Sequence, residues 1–63
     1  MQPYQQRVIQ ENDELLLKIN ALNDFLSRDD STASPEEYTR MTRQLAAMRE
    51  YAYILAERIE AFV

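Results

Sequence analysis

An apolar or aromatic residue recurs every three or four positions through the second half of the chain. The spacing averages about 3.5 residues, which is the repeat of a helix that packs lengthwise against another helix. A second stripe runs beside the first, so a single partner helix cannot cover the whole apolar surface. The first stripe comprises Tyr38, Met41, Leu45, Met48, Ala52, Leu55, Ile59 and Phe62, and the second comprises Ala47, Tyr51, Ile54, Arg58 and Ala61. This half therefore predicts a long helix that needs more than one neighbour.

The first half of the chain predicts a second helix of similar length. Pro3 suits the first helical position, where its missing N–H costs nothing, and no residue up to about Ser27 breaks a helix. One polar residue, Asn12, falls inside the apolar stripe, where a polar side chain often fixes register at a cost in stability. The stripe itself comprises Val8, Leu15, Ile19, Leu22 and Leu26, widened by Ile9 and Leu16.

A short polar segment separates the two helices. Ser34 is a preferred N-cap residue, Pro35 suits the first helical position, and Glu37 has the spacing to return a hydrogen bond to the Ser34 N–H. A short connection between two helices of similar length favours an antiparallel hairpin. The sequence therefore predicts one domain over residues 1–63, with a helix at 3–27, a loop at 28–34 and a helix at 35–62.

The small size of the chain favours self-association. A single core in a chain of 63 residues rarely supplies more than ~3–5 kcal/mol without a staple. The chain has no cysteine for disulfides, and it has no histidine, the commonest metal ligand. We therefore expect an all-α antiparallel two-helix hairpin that assembles into a symmetric homo-oligomeric helical bundle, a dimer or higher. The predicted interface comprises Ala47, Tyr51, Ile54, Leu55, Ile59 and Phe62.

Composition argues against several classes of function. The net charge of −4 disfavours binding to duplex nucleic acid, which needs a basic face. The absence of glycine disfavours phosphate-cradling loops. No apolar run is long enough to span a membrane, and the N-terminus lacks the apolar core of a signal peptide. We expect a cytoplasmic protein without a metal or cofactor, and an enzyme is the least favoured class.

Basic residues and tyrosines are the candidates for binding. Lys18, Arg28 and Arg40 each follow an acid by four residues, so helical ion pairs explain them. Arg58 instead lies on the second stripe, where an arginine can cross an interface, lie on an aromatic ring or bind a phosphate. Tyrosine beside arginine is typical both of nucleotide pockets and of protein interfaces. The candidate ligand residues are Arg7, Lys18, Tyr51 and Arg58, with Arg49 and Tyr53 as secondary candidates.

A set of residues spread over nearly the whole chain forms a recognisable pattern. The set comprises Gln5-Gln6-Arg7-Val8, Glu11, Glu14-Leu15, Lys18-Ile19, Leu22, Phe25, Gln44, Met48, Tyr51, Leu55, Arg58-Ile59 and Phe62. In this pattern the chain resembles a group of small tailed-phage and prophage proteins. The resemblance implies a phage-encoded protein that acts in the host-cell cytoplasm by binding.

At the level of size, helical content and predicted assembly, the chain is also similar to phage sponges that counter CBASS or Thoeris signalling. Some of these sponges hold cyclic nucleotides in pockets between subunits. The first expectation is therefore that the chain sequesters a cyclic nucleotide immune signal. The alternatives are an inhibitor or adaptor that binds a host protein through the apolar half of the second helix, and a structural component of phage assembly.

Overall fold

Two helices make up the computed structural model, which describes residues 1–28 and 32–62. Helix α1 spans Pro3–Leu26 and helix α2 spans Pro35–Glu60, so they end one and two residues before the predicted ends. The helices pack side by side as an antiparallel hairpin with extents of 44 × 14 × 14 Å. The all-α hairpin is confirmed, whereas positions 29–31 of the predicted loop lie outside the described residues.

The core of the hairpin is one apolar seam between the helices. Its most enclosed member is Leu55, which is 1% exposed. The heptad spacing of both stripes produces this seam, because residues seven apart return to nearly the same side of a helix. The buried residues are Val8, Leu15, Ile19, Leu45, Ala52 and Leu55, and the partly buried residues around them are Leu22, Leu26, Met48, Ile59 and Phe62.

The start of α2 is capped as the sequence predicts, with one difference. Ser34 is the N-cap residue, and its Oγ accepts a hydrogen bond from the Glu37 backbone N–H at 3.1 Å. The Glu37 carboxylate was expected to return to the Ser34 N–H, but it accepts a bond from Arg40 Nε at 2.9 Å. The exposed side chain of Arg40, three residues later in α2, therefore competes with the Ser34 N–H for this carboxylate.

Asn12 is the polar residue of the seam. Its side chain is half-buried, and its Oδ1 atom is fully buried without a hydrogen-bond partner among the described residues. A buried acceptor left unpaired costs about 1–3 kcal/mol. Asn12 therefore lowers the stability of the isolated hairpin.

Candidate functional site

Two contacts between the helices lie on opposite sides of the seam. On one side the rings of Tyr4 and Phe62 meet edge-to-face, with centroids 5.8 Å apart. On the other side Arg49 Nη2 donates to Asn23 Oδ1 at 3.1 Å. An α-helix turns about 100° per residue. Over the 19 residues from Tyr4 to Asn23 this leaves an angle of about 100° around α1, and over the 13 residues from Arg49 to Phe62 it leaves about 140° around α2. The buried seam lies between the two contacts, and they therefore identify two faces of the hairpin.

The side of the Tyr4–Phe62 contact collects the four principal candidate residues. Arg7 and Lys18 are eleven residues apart, so they project from α1 within about 20° of each other. Tyr51 and Arg58 are seven residues apart, so they also lie within about 20° on α2. We name this side the Tyr51 face, and its residues are Arg7, Lys18, Ala47, Tyr51, Ile54 and Arg58.

The cations of the Tyr51 face are arranged along the length of the hairpin. Arg7 lies about one turn into α1 from Tyr4, and Arg58 lies about one turn back from Phe62. Because Tyr4 and Phe62 touch, Arg7 and Arg58 lie at a similar level near the open end of the hairpin. Lys18 lies about 16 Å from Arg7 along α1, since the rise is about 1.5 Å per residue.

These three cations carry no paired anion in the hairpin. The side chains of Arg7, Lys18 and Arg58 make neither a hydrogen bond nor an ion pair with any of the described residues. The one ion pair among the described residues joins Arg40 to Glu37 on the surface of α2. The Tyr51 face therefore offers positive groups that are free to bind an anion.

Two carboxylates lie between the cations of α1. Glu11 and Glu14 occupy the turns that separate Arg7 from Lys18. Glu14 was expected to pair with Lys18, but it accepts a hydrogen bond from Gln10 Nε2 at 3.2 Å. An anion is consequently attracted to the two cationic ends of this stretch and repelled from its middle.

The predicted oligomer interface divides between the surface and the core. Tyr51 and Ile54 are 43% and 46% exposed, and Ala47 is exposed beside them. Leu55 lies inside the hairpin, and Ile59 and Phe62 pack partly against its core. The reason is that these three residues belong to the stripe that faces α1. Ala47, Tyr51 and Ile54 remain available for contact with another molecule.

The secondary candidates, Arg49 and Tyr53, lie on the opposite side of the hairpin. Tyr53 is 66% exposed, and Arg49 binds Asn23 across the seam. We name this side the Tyr53 face, and its residues are Leu16, Asn23, Ala46, Arg49, Tyr53, Ala56, Glu57 and Glu60. One hairpin cannot bring these two candidates together with Tyr51, because Tyr51 and Tyr53 point about 200° apart on α2.

The other surfaces of the hairpin offer fewer groups that could bind a ligand. At the open end of the hairpin there is an open cavity of about 450 Å³, which is lined by Met1, Gln2, Gln5 and Phe62. Within residues 1–28 and 32–62, no three acidic side chains converge in a group suited to a metal ion. Neither described helix is both long enough and apolar enough to cross a membrane.

Comparison with known proteins shows the family. The chain is 44% identical over 63 residues to a 7.5 kDa protein from the denB-rIIB intergenic region of Enterobacteria phage T4, with 98% of each chain covered. No solved structure matches the chain. The model of the family described as Sequestin matches residues 2–61. The relationship to small phage proteins is thereby confirmed, and the chain belongs to the Sequestin family.

Proposed function

We propose that this chain is a non-enzymatic phage accessory protein that sequesters a cyclic nucleotide immune signal between subunits of a homo-oligomer in the host cytoplasm. The family description supports sequestration as the mode of action. The observation that carries the choice of ligand is the Tyr51 face, where three unpaired cations accompany a half-exposed tyrosine.

The chemistry of a cyclic nucleotide suits these groups. Its phosphodiester is an anion, and an arginine can hold it through two parallel hydrogen bonds. Arg7 and Arg58 lie at a similar level on neighbouring helices and so can share one phosphate. Tyr51 offers a ring for base stacking, which contributes about 1–3 kcal/mol per base. Glu11 and Glu14 would direct the phosphate groups away from the middle of α1.

Assembly completes the site in this proposal. Ligand pockets bury most of the surface of their ligand, and a hairpin 14 Å across presents an open face. The exposed apolar side chains of Ala47 and Ile54 border the candidate ligand residues. A second copy seated on these side chains would remove them from water and close the face into a pocket.

Native mass spectrometry tests the proposal, because it reports subunit count and bound mass together. The wild-type chain is mixed with a panel of cyclic di- and trinucleotides, and we expect an oligomer that carries a stoichiometric nucleotide. Arg58→Ala should weaken binding about tenfold or more while the oligomer persists, because a charged hydrogen bond to phosphate is lost. Arg28→Ala is the matched control, since Arg28 is exposed and follows the end of α1, at the opposite end of the hairpin from Arg58.

Three results would count against the proposal or against the role of Arg58 in it. An oligomer that binds none of the panel contradicts the choice of ligand. An Arg58→Ala chain that binds as well as Arg28→Ala removes Arg58 from the site. If the oligomer dissociates in the Arg58→Ala chain instead, Arg58 serves assembly, and it is then removed from the ligand site as well.

The exposed apolar surface of α2 also supports a second candidate, an inhibitor or adaptor of a host protein. Tyr51 and Ile54 have the exposure and residue types of an interaction surface. In that case Ile54→Glu should abolish capture of the host protein, while Arg58→Ala should have a smaller effect. The wild-type chain would then carry no added nucleotide mass.

A further inference from the structure

The Tyr53 face holds an exposed aromatic ring that the proposed ligand site does not use. Tyr53 is 66% exposed, although an aromatic ring gains free energy by burial. The small side chains of Ala46 and Ala56 flank it on α2, and Leu16 of α1, which is 44% exposed, lies on the same face. This surface has room for a close approach by another helix.

Arg49 and Glu57 beside Tyr53 carry opposite charges that suit a two-fold contact. Glu60, seven residues after Tyr53, also lies on this face and would stand opposite the small Ala46 of the second copy. Arg49 precedes Tyr53 by four residues and Glu57 follows it by four, so Tyr53 is the midpoint between opposite charges. When two copies of α2 lie antiparallel and cross at Tyr53, residues equally distant from the crossing stand opposite each other. Arg49 then faces Glu57 of the second copy, and the reciprocal pair forms by symmetry.

Both charged groups are available for such a contact. Arg49 donates to Asn23 through Nη2, which engages one of the five N–H donors of a guanidinium group. The Glu57 carboxylate makes no hydrogen bond or ion pair with the described residues. The asparagine holds the arginine on this face of the hairpin without neutralising its charge.

The available area also fits a second copy. A stable interface buries about 800 Å² on each partner, and the surface of the hairpin amounts to 5009 Å². The molecule is a rod of 44 × 14 × 14 Å, so one of its four long sides carries roughly a quarter of that surface. A lengthwise contact on one side is therefore large enough for a stable dimer.

We propose that the Tyr53 face is a self-association surface, on which α2 of a second copy packs antiparallel about a two-fold axis at Tyr53. Reciprocal Arg49–Glu57 pairs set the register of this contact, and the two Tyr53 rings form its centre. The contact assigns Arg49 and Tyr53 to assembly. It is separate from the Tyr51 face, and it does not depend on the proposed ligand.

Charge reversal tests the register of this contact. The dimer dissociation constant is measured by sedimentation equilibrium in an Ile54→Glu background, which disables the Tyr51 face. Arg49→Glu and Glu57→Arg should each raise the constant about tenfold or more, because each places like charges at two symmetric positions. The double variant Arg49→Glu/Glu57→Arg should restore it. Arg43→Glu carries the same charge change elsewhere on α2 and should leave it unchanged.

Single variants that behave like Arg43→Glu overturn the proposal, and so does a double variant that recovers none of the loss. A chain that stays monomeric at every concentration in the Ile54→Glu background overturns it as well. Binding of nucleotides by the Arg49→Glu chain is scored separately, so the ligand proposal can fail without affecting this result.

A disulfide experiment measures the contact directly, since the chain has no cysteine of its own. Tyr53→Cys should form a covalent dimer quickly under mild oxidation, because the two-fold axis brings the two thiols together. Arg43→Cys is the matched control and should cross-link slowly. Equal rates for the two variants would overturn the proposed axis.

Discussion

The Tyr38 hydroxyl donates a hydrogen bond to the Leu26 backbone carbonyl at 2.9 Å, which ties the first turn of α2 to the last residue of α1. The last carbonyls of a helix lack partners within the helix, and this bond satisfies one of them from across the hairpin. The Tyr4–Phe62 contact closes the opposite end. Two tyrosines therefore hold the two ends of one apolar seam.

Tyr38→Phe should lower the free energy of unfolding by about 0.5–1.5 kcal/mol, because it removes the hydroxyl and retains the ring. Chemical denaturation at fixed protein concentration measures the change. Tyr53→Phe is the control, since the Tyr53 hydroxyl makes no hydrogen bond with the described residues. Equal stability of the two variants would show that the bond to Leu26 contributes nothing.

Leu55→Ala should destabilise the hairpin by about 2–5 kcal/mol, because it leaves a cavity at the most buried position. For a chain of this size the loss approaches the whole stability of the monomer. Thermal unfolding followed by circular dichroism measures it. Ile54→Ala, at the adjacent half-exposed position, is the control, and an equal loss there would contradict the seam described above.

Ser34→Ala should cost about 1 kcal/mol, because the Glu37 N–H loses its acceptor at the start of α2. Urea denaturation is suitable, with Thr32→Ala as a control at an exposed position outside both helices. Amide hydrogen exchange should also increase at Glu37 in the Ser34→Ala chain. Unchanged protection there would mean that the cap is unimportant.

Asn12→Leu should stabilise the hairpin by about 1–3 kcal/mol, because it replaces a buried oxygen that has no partner. Asn20→Leu places the same side chain at an exposed position of α1 and serves as the control. Destabilisation by Asn12→Leu would mean that a buried water or a second copy pairs with the amide in solution.

Local patterns were sufficient to predict the seam and the helix start. Leu15 and Leu45 follow the heptad repeat, and Ser34 caps α2, because periodicity and capping depend only on neighbouring residues. The pairing of charged side chains was less predictable. The expected Glu14–Lys18 pair is absent, since Glu14 bonds to Gln10, and exposed ion pairs differ from one another by only tenths of a kcal/mol.

The sequence by itself determined that the chain forms two amphipathic helices and which stripe of each helix is apolar. Only the tertiary structure decided that Leu55 is enclosed in the hairpin and that Arg7 and Lys18 of α1 share one face with Tyr51 and Arg58 of α2. The physical reason is that the spacing along a helix sets the angles within that helix alone. The rotation of one helix against the other is set by the packing of the whole seam, and that rotation determines which residues of α1 and α2 lie together.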